Sequence, residues 1–174
     1  MSAAPEPAPG SPASTSAPSA GPGEREKRRE RIIDVLWELQ QARGWLDDDA
    51  VREAARTCEL TPLEVDEIAT FYNLLLRRPA GRIPIFVCDS ISCELNGASR
   101  LIERLSQRLG IGLGGVTADG AHGLLPIVCL GHCERAPCLL AGETVHGPCP
   151  LDAQGIERLL EEIAGGSRAA RREP

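Results

Sequence analysis

The chain has 174 residues, of which 42% are hydrophobic and only 3% aromatic, and a formal net charge of −6 at pH 7. That length suffices for one good core, or a small domain with a helical extension, built on Leu, Ile, Val and Ala rather than on rings. The acidic balance without a basic stripe argues against nucleic acid as a partner, and the lack of an apolar run of membrane-spanning length argues against direct membrane insertion.

Residues 1–23 are almost wholly Pro, Ala, Ser and Gly, with one charge at Glu6. Such a stretch buries too little apolar surface to offset its ordering entropy and reads as a disordered leader. It has no Arg and no apolar core, unlike a transit or signal peptide. Residues 24–79 read as a helical domain. Ile32, Leu36 and Leu39 share a face, and Gly44 stands where a helix would stop. Asp47–Asp49 can cap a second helix carrying Val51, Ala54 and Ala55. Thr61-Pro62-Leu63-Glu64 is a capping box with Pro at the first helical position. The helix it starts should put Val65, Ile68, Ala69 and Tyr72 on one face, with Phe71 in the core and Trp45 and Tyr72 as alternatives for a partner surface. Pro79-Ala80-Gly81 breaks the pattern.

Residues 80–165 form the second expected domain. Ile83, Ile85 and Val87 alternate as a strand leading into Cys88, with Pro84 favouring an edge or a strand start. Ala98, Leu101, Ile102, Leu105 and Leu109 make an amphipathic helix ended by Gly110. Leu125, Ile127 and Cys129 alternate as a second strand, Leu139–Val145 reads as a hairpin turning at Ala141-Gly142-Glu143, and a last helix carries Ile156, Leu159, Leu160 and Ile163. Residues 166–174 are a tail. The order β-α-β-β-α describes an α/β fold, a small sheet covered by two helices.

Seven cysteines are an odd count. Together with the absence of a secretory signal, this favours reduced, metal-binding thiols in the cytoplasm over a disulfide framework. Four fall in two pairs, Cys88-x4-Cys93 and Cys129-x3-Cys133, each just beyond a predicted strand, where a rigid scaffold can present a site. Thiolates so spaced suit either a zinc ion or a two-iron, two-sulfide cluster with two thiolates per iron, and spacing alone leaves both open. Cys138, five residues after Cys133, is an alternative ligand by spacing, but it sits at an apolar position of the hairpin and reads as core. Cys58 reads as plain, and Cys149, between prolines, as an exposed and oxidisable thiol. His132 lies inside the second pair, but both pairs already hold two cysteines, so it reads as a polar loop residue rather than a ligand. Gly131 would let the backbone turn so that N–H groups point at sulfur. Gly110-Ile111-Gly112-Leu113-Gly114-Gly115 lacks the strand before and helix after that a dinucleotide-binding loop requires.

Four segments carry a resemblance: Gln41-Ala42-Arg43-Gly44-Trp45-Leu46, Glu67-Ile68-Ala69-Thr70-Phe71-Tyr72, Val87–Cys93, and Leu125–Pro137 with its Cys129-Leu130-Gly131-His132-Cys133. Together, over about residues 24–163, they resemble the E-type subunit of respiratory NADH:quinone oxidoreductase (complex I) and its counterparts in NAD-linked hydrogenases and formate dehydrogenases. The resemblance implies a helical bundle followed by a thioredoxin-like domain holding one [2Fe-2S] cluster on Cys88, Cys93, Cys129 and Cys133. It implies an electron carrier without hydride chemistry of its own, placed beside a flavin-bearing, NADH-oxidising subunit. It also implies a cytoplasmic location, peripheral to the membrane through the complex. The residue-level rival is a zinc-stabilised adaptor without a redox role. Two departures from the family pattern stand out: Pro84 within the first strand, and Ala121-His122-Gly123 where a bulky aromatic is common.

Overall fold

The structure, a computed structural model, describes residues 22–170. The expected leader lies outside the described residues up to residue 21, and Pro22 and Gly23 already belong to the first helix. Four helices come first: α1 (Pro22–Glu30), α2 (Ile32–Arg43), α3 (Asp48–Cys58) and α4 (Pro62–Phe71). Their ends follow local chemistry. At the end of α2, Gly44 takes a left-handed φ of 84° and its N–H donates to the Gln40 carbonyl. The Asp47 carboxylate accepts from Ala50 N–H at 2.7 Å and opens α3. The capping box forms in full, with Thr61 Oγ1 accepting from Glu64 N–H and Glu64 accepting from Thr61 N–H. Leu36, Leu46, Ala50, Ala54, Val65 and Ala69 are fully buried together. The alanines let the helices approach closely.

Phe71 departs from expectation: it is 77% exposed rather than in the core. Six residues after Val65 and two after Ala69, it points away from the buried face of α4. Tyr72 would return to that face, but the chain turns extended there (φ −91°, ψ 114°), so Tyr72 is exposed too. The two rings meet edge to face at 5.1 Å.

The segment after α4 ties the helices to the sheet. Gln40, the buried polar side chain of α2, donates from Nε2 to the Leu74 carbonyl (2.8 Å) and accepts Leu76 N–H on Oε1 (2.5 Å). Arg77 bonds Asp66 and Asp48 and the Leu46 carbonyl. Leu75 then packs into the helical core, while Leu76 packs against Phe86 and Cys88 of the sheet.

The sheet has the order β2-β1-β3-β4, with β1 Ile83–Cys88, β2 His122–Ile127, β3 Leu139–Ala141 and β4 Thr144–His146. β1 and β2 run parallel, Ile83 opposite His122 and Cys88 opposite Ile127. β3 runs antiparallel to β1, and β3–β4 is a hairpin turning through Gly142 (φ 60°). Between β1 and β2 lie a short α5 (Ile91–Leu95) and α6 (Ala98–Leu109). After β4 comes α7 (Ala153–Ala170), which takes in residues 166–170 of the expected tail; residues 171–174 lie outside the described residues. Strand alternation sorts the side chains. Ile83, Ile85, Val87, Leu124 and Leu139 face Leu101 and Leu105 of α6 and Ile156, Leu159 and Ile163 of α7. Phe86, Cys88, Leu125, Ile127 and Leu140 face the other way.

β1 is an interior strand rather than an edge, and Pro84 stands at its start, the other position the proline suggested. The N–H groups of Ile83 and Asp89 reach β2, at Ala121 and Ile127, and that of Cys88 reaches Cys138 beside β3. Alternate positions, Pro84 included, therefore face β3, whose pairing begins only at Ile85. The missing donor falls where no acceptor waits. At the other departure, a Cβ on Gly123 would stand 2.1 Å from the Ala80 carbonyl oxygen, so the backbones pack where a larger side chain would not fit. No helix among the described residues is long and apolar enough to cross a membrane.

Candidate metal centre

β1 and β2 are parallel, so their C-terminal ends lie at one edge of the sheet, and both cysteine loops leave from it. Cys88 is the last residue of β1, and Cys93 sits in α5, which Ser90 precedes as N-cap residue. Cys129 lies two residues beyond β2, and Cys133 opens a 3-10 turn, Cys133–Arg135. The expected alternation through Leu125, Ile127 and Cys129 thus leaves the sheet before its cysteine. The sulfurs of Cys129 and Cys133 are 3.4 Å apart and exposed. Gly131, at φ 81°, turns its N–H onto Cys129 Sγ at 3.3 Å. Cys88 and Cys93 are buried.

Each loop acts on a sulfur of the other electrostatically: Leu130 of the second on Cys88, and Ser92 of the first on Cys133. These contacts set the thiol acidities. Burial opposes ionisation of Cys88, but the Ser90 and Leu130 amides, with the Cys93 thiol and the Ser90 hydroxyl, outweigh it and hold Cys88 below the ordinary cysteine range. Burial pushes Cys93 up, against the Cys138 N–H that points at its sulfur. The bond with Cys129 raises Cys133, with Ser92 acting the other way. Cys88 therefore ionises more readily than Cys93 or Cys133, and thiols held as S–H would release their protons as a metal binds.

Cys138, read from the sequence as core, is buried but also stands at the site, its Sγ 3.6 Å from that of Cys93. Cys88, Cys93 and Cys138 have sulfurs within 4.8 Å of one another. The cause is topological: β3 is antiparallel to β1, so it begins where β1 ends. Burial, then the bond to Cys93, pushes the Cys138 thiol far up, which keeps it protonated. Sequence reading missed this placement, since a partner 45 positions away leaves no periodic trace. The hairpin read from Leu139–Val145 carried the signal that could have found it, because its first strand pairs with β1.

The donor set is wholly sulfur, with the Gly131 N–H aimed at Cys129 Sγ, and this fits a thiophilic centre. His132 is half-buried, with Nδ1 3.4 Å from the Glu134 carboxylate. Cys58 is buried in the helical core. Cys149 corrects its expected exposure: it is 5% exposed, its N–H donates to the Pro137 carbonyl, its thiol donates to the His146 carbonyl, and burial pushes it up to about 12. The flanking prolines reverse the chain back onto the sheet instead of leaving the thiol in solvent. Gly110–Gly115 follow α6 and lead toward β2 rather than joining a strand to a helix. Ile91, Leu95 and Val128, on or beside the two loops, are exposed.

Against known proteins, the family described as thioredoxin-like [2Fe-2S] ferredoxin matches residues 22–164. The E-type subunit of NADH-quinone oxidoreductase from Pseudomonas aeruginosa is 39% identical over 136 residues, covering 78% of this chain and 81% of the relative. Subunit 2 of the same enzyme from Thermus thermophilus is 36% identical over 143 residues, covering 82% of this chain and 78% of the relative. Among solved structures, an NAD+-reducing [NiFe]-hydrogenase in its air-oxidized state superposes with a TM-score of 0.64 at 29% identity. That match covers 82% of this chain but only 24% of the hydrogenase chain.

Proposed function

This chain belongs to the thioredoxin-like [2Fe-2S] ferredoxin family, and from that premise we propose that it is the electron-carrier subunit of an NADH dehydrogenase of the complex I type. Cys88, Cys93, Cys129 and Cys133 hold one [2Fe-2S] cluster, next to a flavin-bearing subunit that oxidises NADH. The carrying observation is that the parallel strands β1 and β2 end at one edge of the sheet, so both cysteine loops leave from the same place. Such loops present two thiol pairs side by side, one pair for each iron. When bound, the cluster supplies one-electron storage. The protein's part is to position four sulfurs, aim amides at them, and keep water from the Cys88–Cys93 side while leaving the Cys129–Cys133 side open. Electrons would enter or leave through that open side, where the exposed Ile91, Leu95 and Val128 offer apolar surface to a partner subunit. Phe71 and Tyr72 offer a second apolar surface on the helical segment. Attachment to the cytoplasmic face of the membrane would run through partner subunits. The same reading admits the equivalent subunit of an NAD-linked hydrogenase or formate dehydrogenase, which the neighbouring genes would distinguish.

A second reading rests on the Cys88–Cys93–Cys138 group, whose mutual spacing suits a structural zinc. One preparation separates the two. Anaerobically purified protein is expected to contain about two irons and two sulfides per chain and to lose visible absorbance on reduction. Stoichiometric zinc in a colourless protein would overturn the cluster reading. Mixed with the flavin-bearing subunit, the colour should become bleachable by NADH; the chain alone should not oxidise NADH.

A further inference from the structure

A cavity of about 440 Å³ opens between β4, the loop 147–150 and the N-terminal half of α7, and electron carriage as proposed above makes no use of it. Three side chains able to hold an anion reach it from separate elements: Arg135 from the 3-10 turn, His146 from β4 and Arg158 from α7. Neither guanidinium makes a hydrogen bond or ion pair with another described residue. His146 is the enclosed member, its side chain 11% exposed and its Nδ1 3.7 Å from the Glu162 carboxylate. Its Nε2 has no hydrogen-bond partner among the described residues, yet it is not sealed from solvent. The walls are fixed by close backbone packing. A Cβ on Gly147 would stand 2.5 Å from the Arg135 carbonyl oxygen, and one on Gly155 would stand 2.3 Å from Pro150 Cβ. The turn that carries Arg135, the loop and the start of α7 are therefore pressed together, and the rim groups keep their places.

We propose that this cavity binds a small phosphomonoester, its phosphate held by Arg135, Arg158 and His146 and its organic body lying on Val145 and Leu159. The site is independent of which metal the cysteines hold. The sign of the ligand follows from the lining. Two guanidiniums outweigh the one carboxylate at the rim, Glu162, so a cation would meet net repulsion. The neighbouring Asp152 is already engaged, its carboxylate accepting Gly155 N–H at 2.9 Å. The shape of the ligand follows from the placement of the donors. They converge from three elements, and a tetrahedral phosphate offers acceptor oxygens in several directions where a carboxylate offers two in one plane. With its proton on Nε2, the His146 ring is a third donor that carries no charge of its own. Val145 and Leu159 give the cavity an apolar wall, the mixture of apolar lining and a few convergent polar groups that suits an organic ligand.

The test is titration calorimetry of the full chain with inorganic phosphate and with phenyl phosphate, in a buffer without other multivalent anions, with the melting temperature of each variant read alongside. Both probes should bind, and phenyl phosphate more tightly, because its ring also covers Val145 and Leu159. Arg158→Gln and Arg135→Gln should each weaken binding by about ten-fold or more, as the loss of a charge-assisted hydrogen bond does. His146→Phe keeps the ring and removes the donor, and should weaken binding too. Glu162→Gln removes the opposing charge and should tighten binding, a gain that a damaged fold cannot imitate. Arg100→Gln, on α6 and away from the cavity, should leave the affinity unchanged. The absence of saturable binding of either probe to the wild type would overturn the proposal. So would equal losses in Arg158→Gln and Arg100→Gln, which would mean a general charge effect, or weaker binding in Glu162→Gln, which would place the ligand on the carboxylate.

Discussion

Gln40→Met is the most informative perturbation of the scaffold. The substitution keeps the length and volume of the side chain but removes both ends of its amide. Two hydrogen bonds go, Nε2 to the Leu74 carbonyl at 2.8 Å and Leu76 N–H to Oε1 at 2.5 Å. Each neutral bond contributes about 1 kcal/mol net, and a backbone group left unpaired away from water costs about 1–3 kcal/mol. Both bonds are only partly buried, so water recovers some of this and a loss of about 3 kcal/mol is expected. For a chain of this size that lowers the melting temperature by roughly 6–12 °C. Gln40→Glu refines the argument. Its carboxylate could still accept from Leu76 N–H, but its second oxygen would face the Leu74 carbonyl, so the folded state disfavours the charged form and raises its pKa above the unfolded value. The variant's deficit should then be largest at high pH and shrink as pH falls through the raised pKa, when the protonated acid can donate as the amide did. Thermal unfolding followed by far-ultraviolet circular dichroism, with cluster absorbance read in parallel, measures both. Gln40→Met melting with the wild type, within about 0.5 kcal/mol, would refute the idea that this amide fastens the 74–76 segment.

The remaining predictions concern the site and its frame. Alanine at Cys88, Cys129 or Cys133 should abolish the visible chromophore, whereas Cys58→Ala and Cys149→Ala should keep it. Cys93→Ala should retain a reduced yield of cluster, because Cys138 Sγ lies 3.6 Å from the vacated sulfur, and Cys93→Ala/Cys138→Ala should retain none; iron and sulfide analysis of these preparations decides. Gly123→Ala should destabilise the chain by at least about 3 kcal/mol or prevent folding, since the new Cβ meets backbone at 2.1 Å rather than a flexible side chain. Wild-type solubility and melting would contradict that. Thr61 N–H, followed by the Thr61 hydroxyl, holds the Glu64 carboxyl below its ordinary value. The capping-box contribution should therefore be present above the unfolded pKa and vanish as pH falls through the folded one, so the melting difference between wild type and Glu64→Ala should close on acidification.

Features encoded within a few residues are legible in the amino-acid sequence. Gly44 and Gly110 end helices because a left-handed residue costs glycine little. The Thr61–Glu64 box starts one because its partners are three residues apart. Ile83, Ile85 and Val87 face one side because strands alternate. The spacing of the paired cysteines belongs to this class, and the motifs around them carried the family. What needed the tertiary structure was every relation across the chain. Phe71 is exposed because its angle on α4 misses the core, and Tyr72 because the helix has ended before it. Cys149 is buried because the chain between Pro148 and Pro150 folds back on Pro137. Gln40 matters through a segment 34 to 36 residues away. Cys138 joins the site because an antiparallel strand begins where a parallel pair ends. Periodicity reports which face a residue takes within its own element; which element lies opposite that face is decided by strand order and packing, which no local window contains.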